Sequence, residues 1–227
     1  MFERLKKVFA SGAEPQPEAS RLDTVSEWAG MQGLSYSSHG TGQGFVLTGK
    51  VSGKPWKLES GASSRDYIVG EELRARAELG INTDASVLIM NRSLKESLEK
   101  RAYAMYTDTL QTTADPGLPE EMRWLALYEE FGWSGLVPEF WDRYTVLADQ
   151  RDHALAWVNS KLAEQLLHWP QPGPDAQTPF ILMLLRGKAY LRVQYAPGDI
   201  ATLQHAAAIF TSACESALAG VGTDIPL

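Results

Sequence analysis

The stretch GFVLTGKV, residues 44–51, decides between two folds because it can be read in two ways. Read as G-x-x-x-x-G-K, it satisfies the first seven positions of a phosphate-binding loop. Such a loop also needs a magnesium-binding Ser or Thr at the eighth position and a helix after the lysine. Here the eighth residue is Val51, and a turn at residues 52–55 follows. The alternation of Phe45, Leu47 and Val51 with the intervening residues instead predicts a strand in an antiparallel hairpin.

Strand patterns recur on both sides of this stretch. Residues 71–79 alternate apolar and charged side chains, as a half-buried strand does, and residues 86–91 are apolar on both faces, as in a central strand. Residues 143–148 form a further strand pattern. Residues 180–195 read as a second hairpin about a Gly-Lys turn at 186–188.

Helical periodicity fills the intervals between the strands. The predicted helices span residues 21–33, 94–110, 119–131, 151–169 and 199–218, the last capped by Asp199. The pattern predicts an α+β fold of two antiparallel sheet units, each covered by helices and linked by a helical pair. The corresponding segments are an amphipathic segment with a flexible linker at 1–20, a helix-plus-meander lobe at 21–93, a helical connector at 94–135 and a β-α-β-β-α lobe at 136–227.

The two halves share one short word. Each places Gly-Lys-x-aromatic at a hairpin turn, at residues 53–56 and 187–190. An ancient duplication of an α-β-β unit accounts for this, and so does chance, because Gly-Lys turns are common. The sequence leaves both explanations open.

Composition narrows the function classes. A net charge of −7 and a pI near 5.2 argue against a nucleic-acid partner, which requires a basic surface. The single cysteine, Cys214, excludes an internal disulfide and fits a reducing compartment. The longest apolar run, residues 180–185, is too short to cross a bilayer. We therefore expect a soluble cytoplasmic protein without a transmembrane segment.

The sequence contains no recognisable catalytic or metal-binding motif. None of the four histidines has a second ligand at helical spacing, and no G-x-S-x-G turn occurs. Cys214 falls on an apolar helical face, where cysteine acts as a small hydrophobe. We predict no catalytic residue, no metal and no cofactor, which favours a protein that is not an enzyme.

The most unusual stretch is YEEFGWSGLVPEFWDRY, residues 128–144, where aromatic and acidic side chains alternate. It supplies the ligand or interface candidates Tyr128, Trp133, Glu139, Trp141 and Asp142. These aromatics can form core between the helical pair and the second lobe, or they can supply a protein interface. They can also line a carbohydrate cleft, where rings stack on sugars and carboxyls transfer protons.

The N-terminal residues 1–10 form a short amphipathic pattern followed by a Pro-rich linker. Its partner-binding candidates are Phe2, Leu5, Val8 and Phe9. The segment either docks on its own domain or binds a separate molecule. In the second case, we favour a protein partner over a membrane surface. The leading hypothesis is a non-enzymatic adaptor. One alternative is a ligand-binding protein or hydrolase that uses residues 128–144. Another is a homodimer whose interface buries the aromatic side chains of residues 128–144.

Overall fold

The computed structural model describes residues 18–38, 44–108 and 120–222. The N-terminal partner-binding candidates lie outside these residues: Phe2, Leu5, Val8 and Phe9. The described helices are α1 Glu18–Met31, α2 Arg92–Asp108, α3 Glu120–Leu127, α4 Pro138–Arg143, α5 Arg151–Trp157, α6 Ser160–Leu167 and α7 Ile200–Gly220. The described strands are β1 Ser35–Ser38, β2 Phe45–Val51, β3 Lys54–Ala62, β4 Glu71–Glu78, β5 Val87–Asn91, β6 Glu129–Phe131, β7 Tyr144–Ala148, β8 Phe180–Leu185 and β9 Lys188–Tyr195.

These strands form one antiparallel sheet in the order β1-β2-β3-β4-β9-β8-β5-β7-β6. The α+β class predicted from the sequence is confirmed. The two expected sheet units are joined edge to edge where β4 pairs with β9, from Glu71 opposite Tyr195 to Glu78 opposite Lys188. Strand β5, which the sequence assigned to the first unit, lies between β8 and β7 of the second. The predicted boundary at residue 93 therefore does not divide the sheet.

The inner face of the sheet carries the main core, which α1, α4, α5, α6 and α7 cover. The alternation seen in the sequence sets this face, because every second residue of a strand points the same way. Leu47, Leu58 and Leu73 point inward and are fully buried. Trp56 meets Phe210 of α7 edge-on, with ring centroids 6.2 Å apart. The apolar face predicted for the helix that holds Cys214 is confirmed in α7, whose Leu203, Ala207, Phe210, Cys214 and Ala217 are all buried.

The outer face is covered over only part of its width. Helices α2 and α3 lie over β5, β7 and β8, where Leu88, Leu94, Trp124 and Met183 belong to a second apolar cluster. The other helices of the described residues pack on the inner face. The outer face of β2, β3, β4 and β9, here called the open face, is therefore free of helices within the part of the chain that the structure describes.

The glycine–lysine stretch forms strand β2, as its alternation predicts. Gly49 is required by packing: a Cβ there would lie 2.7 Å from Leu34 Cδ2 and 2.9 Å from the Trp56 ring. Lys50 is exposed on the strand, and β3 follows after a two-residue turn. Both hairpin turns have two successive left-handed residues, Ser52-Gly53 and Arg186-Gly187, as tight hairpins of twisted strands require.

Two predicted helices differ from the structure. The helix expected at 151–169 is two helices, α5 and α6, because Asn159 caps the second one by accepting a hydrogen bond from Leu162 N at 2.9 Å. Its amide also donates to Ser216 Oγ on α7. The helix expected at 119–131 ends at Leu127, since residues 129–131 pair with β7 as strand β6. Strand β1 and helix α4 were not predicted.

None of the described helices combines the length and apolar character that a bilayer crossing requires.

Candidate interaction surface on the open face

The open face is a shallow concave surface with about 980 Å³ of space above it. Its floor is built by the outward-facing residues of four consecutive strands of the sheet. Because the strands are antiparallel and in register, these side chains line up in rows across the sheet. The charged members are Lys50, Lys57, Glu59, Glu72, Arg74, Arg76, Glu78, Lys188 and Arg192.

Two rows place cations directly opposite one another. Lys57 on β3 faces Arg76 on β4, and Arg74 on β4 faces Arg192 on β9. Like charges at directly opposed positions of an antiparallel sheet are destabilising. No helix among the described residues covers these cations. The side chains of Lys57 and Arg76 are 51% and 55% exposed, so both are accessible from solvent.

Glu72 neutralises the Arg74–Arg192 row from below. Its side chain is fully buried, and Arg192 Nη1 contacts both of its oxygens, at 2.9 and 3.1 Å. Arg74 Nη1 lies 3.3 Å from the same carboxylate. One buried carboxylate therefore holds two guanidinium groups side by side, with both partly exposed to the open face.

The Lys57–Arg76 row is held by contacts at the protein surface. Arg76 pairs with Glu78, and its guanidinium carbon lies 6.0 Å from the centre of the Tyr190 ring. Lys188 Nζ lies 3.2 Å from Glu78. The hydrogen bond from Arg76, together with that from Lys188, holds the pKa of Glu78 below its ordinary value. Glu78 therefore stays charged at neutral pH.

Counting all nine charged side chains, six cations face three carboxylates, a formal excess of three positive charges. The chain as a whole carries −7. The open face thus opposes the charge of the rest of the protein. Such a surface attracts an acidic molecule over distances of about 8–10 Å at physiological salt.

A second cavity, of about 200 Å³, borders the open face at α3. Tyr190 and Arg192 line both spaces. Its other wall includes Trp124 and Tyr128, so the predicted candidate Tyr128 lies on the outer face. Arg65, also in the wall, forms an ion pair with the buried carboxylate of Glu121.

Glu121 of α3 ties the helical cover to the loop between β3 and β4. Besides Arg65, it accepts a hydrogen bond from the Tyr67 hydroxyl at 3.1 Å. Burial, reinforced by Glu121, raises the pKa of Tyr67 far above its ordinary value. Tyr67 is therefore a neutral hydrogen-bond donor at neutral pH.

The remaining aromatic candidates lie across the sheet from Tyr128. Trp133 and Trp141 meet edge-on with centroids 5.0 Å apart, and both are half-buried against the inner core. Glu139 and Asp142 are exposed on α4, the helix that carries Trp141. The structure therefore brings four of the five predicted residues together and separates Tyr128 from them.

Three histidines and the cysteine, all within the described residues, are engaged or buried. His153 Nδ1 lies 2.9 Å from the Asp149 carboxylate, while His168 and His205 hydrogen-bond to backbone carbonyls. Burial raises the pKa of the Cys214 thiol to about 12. Within residues 18–38, 44–108 and 120–222, no group of three metal-binding side chains occurs.

Sequence reasoning missed the open face. The charges at alternate positions 72–78 and 188–192 were visible, but each pattern alone reads as an ordinary solvated strand face. Their addition into one surface depends on β4 pairing with β9 across more than a hundred residues of chain. Aligning the alternating charges of residues 72–78 with those of residues 188–192, as two paired strands, could have predicted the open face.

Comparison with known proteins supports the fold. No protein-family model matches the chain, and a search of curated proteins found no match. The fold is similar to that in a crystal structure of the mycobacterial trehalose monomycolate transport factor A, TtfA, with a TM-score of 0.50. The similarity covers 94% of this chain and 100% of that chain at 10% sequence identity. The chain thus has the α+β architecture of a solved protein.

Proposed function

We propose that this protein is a non-enzymatic, cytoplasmic protein-interaction module that binds a protein partner through the open face. The single observation that carries the proposal is the half-covered sheet. Among the described residues, no helix covers the sheet face beside α2 and α3, and this face presents two rows of opposed cations that are partly exposed. A partner covering this face would pair with the guanidinium and ammonium groups that remain accessible.

The chemistry of the described residues also favours binding over catalysis. The buried thiol of Cys214 has a raised pKa and is a poor nucleophile. The open face holds arginine, lysine and tyrosine side chains, and arginine and tyrosine are common at protein interfaces. Its area spans four strands, which suits a protein segment better than a small substrate.

The N-terminal segment is proposed as a second contact with the partner. Its apolar residues Phe2, Leu5, Val8 and Phe9 recur at helical spacing, and the composition of the residues that follow predicts a flexible linker. Deleting residues 1–20 should leave the fold intact and weaken partner capture. Equal capture of the partner by the full and the shortened chain would show that the N-terminal segment does not contact the partner.

A photo-crosslinking experiment tests the open face itself. A benzoyl-phenylalanine replaces Thr48, which is exposed on β2 opposite Lys57, or, as the matched control, Ala208, which is exposed on α7. After irradiation in host lysate, we expect a specific crosslinked protein from the Thr48 variant alone. Identical products from both positions, or none from either, would contradict the proposal, and a product twice the mass of the chain would indicate self-association.

A second candidate function, carbohydrate or small-ligand binding, is favoured by the tryptophan pair. Trp133 and Trp141 are partly exposed and lie on or beside the short helix that carries Glu139 and Asp142. A sugar stacking on either ring would change its fluorescence. The test is a titration of the protein and of a Trp141→Phe variant with a carbohydrate panel, and an unchanged spectrum throughout would exclude this function.

A further inference from the structure

We infer that the partner element bound by the open face is an acidic segment of another protein, rich in Asp and Glu. This inference rests on the proposed function and specifies the chemistry of its partner. The occupant is argued from charge: the open face has an excess of three positive charges in a chain of net charge −7. An acidic segment is repelled by most of this protein and attracted here.

The geometry of the cations suits carboxylates in particular. Arg74 and Arg192 stand side by side on adjacent strands, each holding the buried Glu72 with part of its guanidinium group. A guanidinium group has five N–H donors, so each has donors left for a second carboxylate.

Lys50 adds a further cation at the edge of the face. It is exposed on β2, and no ion pair to it occurs among the described residues. Together with Lys57, which lies diagonally from it, and Arg76 opposite Lys57, it forms an oblique line of positive charge across three strands. Adjacent strands are about 4.8 Å apart, so the line spans roughly 10 Å, the reach of three or four residues of an extended chain.

The covered part of the outer face already contains a carboxylate paired with an arginine, next to the open face. Helix α3 places Glu121 against Arg65 and Tyr67 at the border of the open face. The neighbouring small cavity shares Tyr190 and Arg192 with the open face and has room for one side chain. An acidic segment lying beside α3 would therefore continue the existing pattern of carboxylate on arginine.

The test is a fluorescence-anisotropy titration with a fluorescein-labelled glutamate–alanine repeat peptide at low salt. The wild-type full chain is compared with Lys57→Gln/Arg76→Gln and with the matched control Lys161→Gln/Arg151→Gln, whose residues are exposed on α6 and α5. Both double variants lose two positive charges. We expect about tenfold weaker binding for the first variant and a change below about twofold for the control.

Four results would overturn the inference. Equal weakening by both double variants would show general charge attraction, and equal binding of a glutamine–alanine peptide would show that carboxylates are not recognised. Tighter binding to phosphatidylserine vesicles than to the peptide, lost in the open-face variant, would assign the face to anionic lipid. If the Thr48 crosslink captures a protein while the acidic peptide does not bind, the acidic-segment inference fails and the proposed function stands.

Discussion

Replacing Glu72 by Gln removes the charge at the floor of the open face and keeps the shape of the side chain. Glu72 is fully buried, and its carboxylate contacts Arg192 through both oxygens and Arg74 through one. Breaking a buried ion pair by removing one partner costs about 3–5 kcal/mol. Both arginines are partly exposed, so water offsets part of this loss, and we expect about 3 kcal/mol.

Urea unfolding, monitored by tryptophan fluorescence, measures the change in the free energy of unfolding. The matched control is Glu59→Gln, whose side chain is 26% exposed and pairs with the exposed Lys57. Exposed pairs contribute about 0–1 kcal/mol, so the control should lie close to wild type. A loss below about 1 kcal/mol for Glu72→Gln would refute the view that this carboxylate holds the cation row together.

The same substitution has the opposite effect on binding. Without Glu72, the open face has one more uncompensated positive charge. We therefore expect the folded Glu72→Gln protein to bind the glutamate–alanine peptide more tightly than wild type, at a temperature well below its unfolding transition. A merely structural role for Glu72 would lower stability without strengthening binding.

Three further predictions concern the fold. Gly49→Ala should cost about 1–3 kcal/mol in urea unfolding because its Cβ overlaps Trp56, whereas Gly132→Ala, with open space around it, should cost less than about 0.5 kcal/mol. Asn159→Ala should cost about 1–2 kcal/mol, since the cap of α6 and the hydrogen bond to α7 are both lost. The Cys214 thiol should react with a thiol reagent only on unfolding. Because its folded pKa of about 12 lies above the ordinary value of 9.0, its contribution to stability is complete below pH 9 and is lost as the pH rises toward 12, a slope that Cys214→Ala should reduce in pH-dependent unfolding.

Local patterns in the sequence predicted much of the fold. The alternation at residues 45–51 and 71–78, and the Gly-Lys turn at 187–188, reflect side chains that meet the core or solvent directly. Such patterns depend on neighbours along the chain, so the sequence displays them. The apolar helical face that carries Cys214 was predicted for the same reason.

Features that depend on distant contacts could not be predicted in this way. The residues around Asn159 have helical periodicity on both sides, and the break is stabilised by Ser216, nearly sixty residues away. Tyr128 has the spacing of the preceding helix, but the following residues add to the edge of β7 instead. The open face likewise exists only because β4 and β9 pair.

Zero-length crosslinking with a carbodiimide tests whether carboxylates bind at the open face, because the reagent joins a carboxylate only to an amine in contact with it. With the glutamate–alanine peptide bound to the full chain, mass spectrometry of the products identifies the lysines involved. We expect crosslinks at Lys50 and Lys57 on the open face. Crosslinks concentrated at Lys100 and Lys161, on α2 and α6, would contradict binding at the open face.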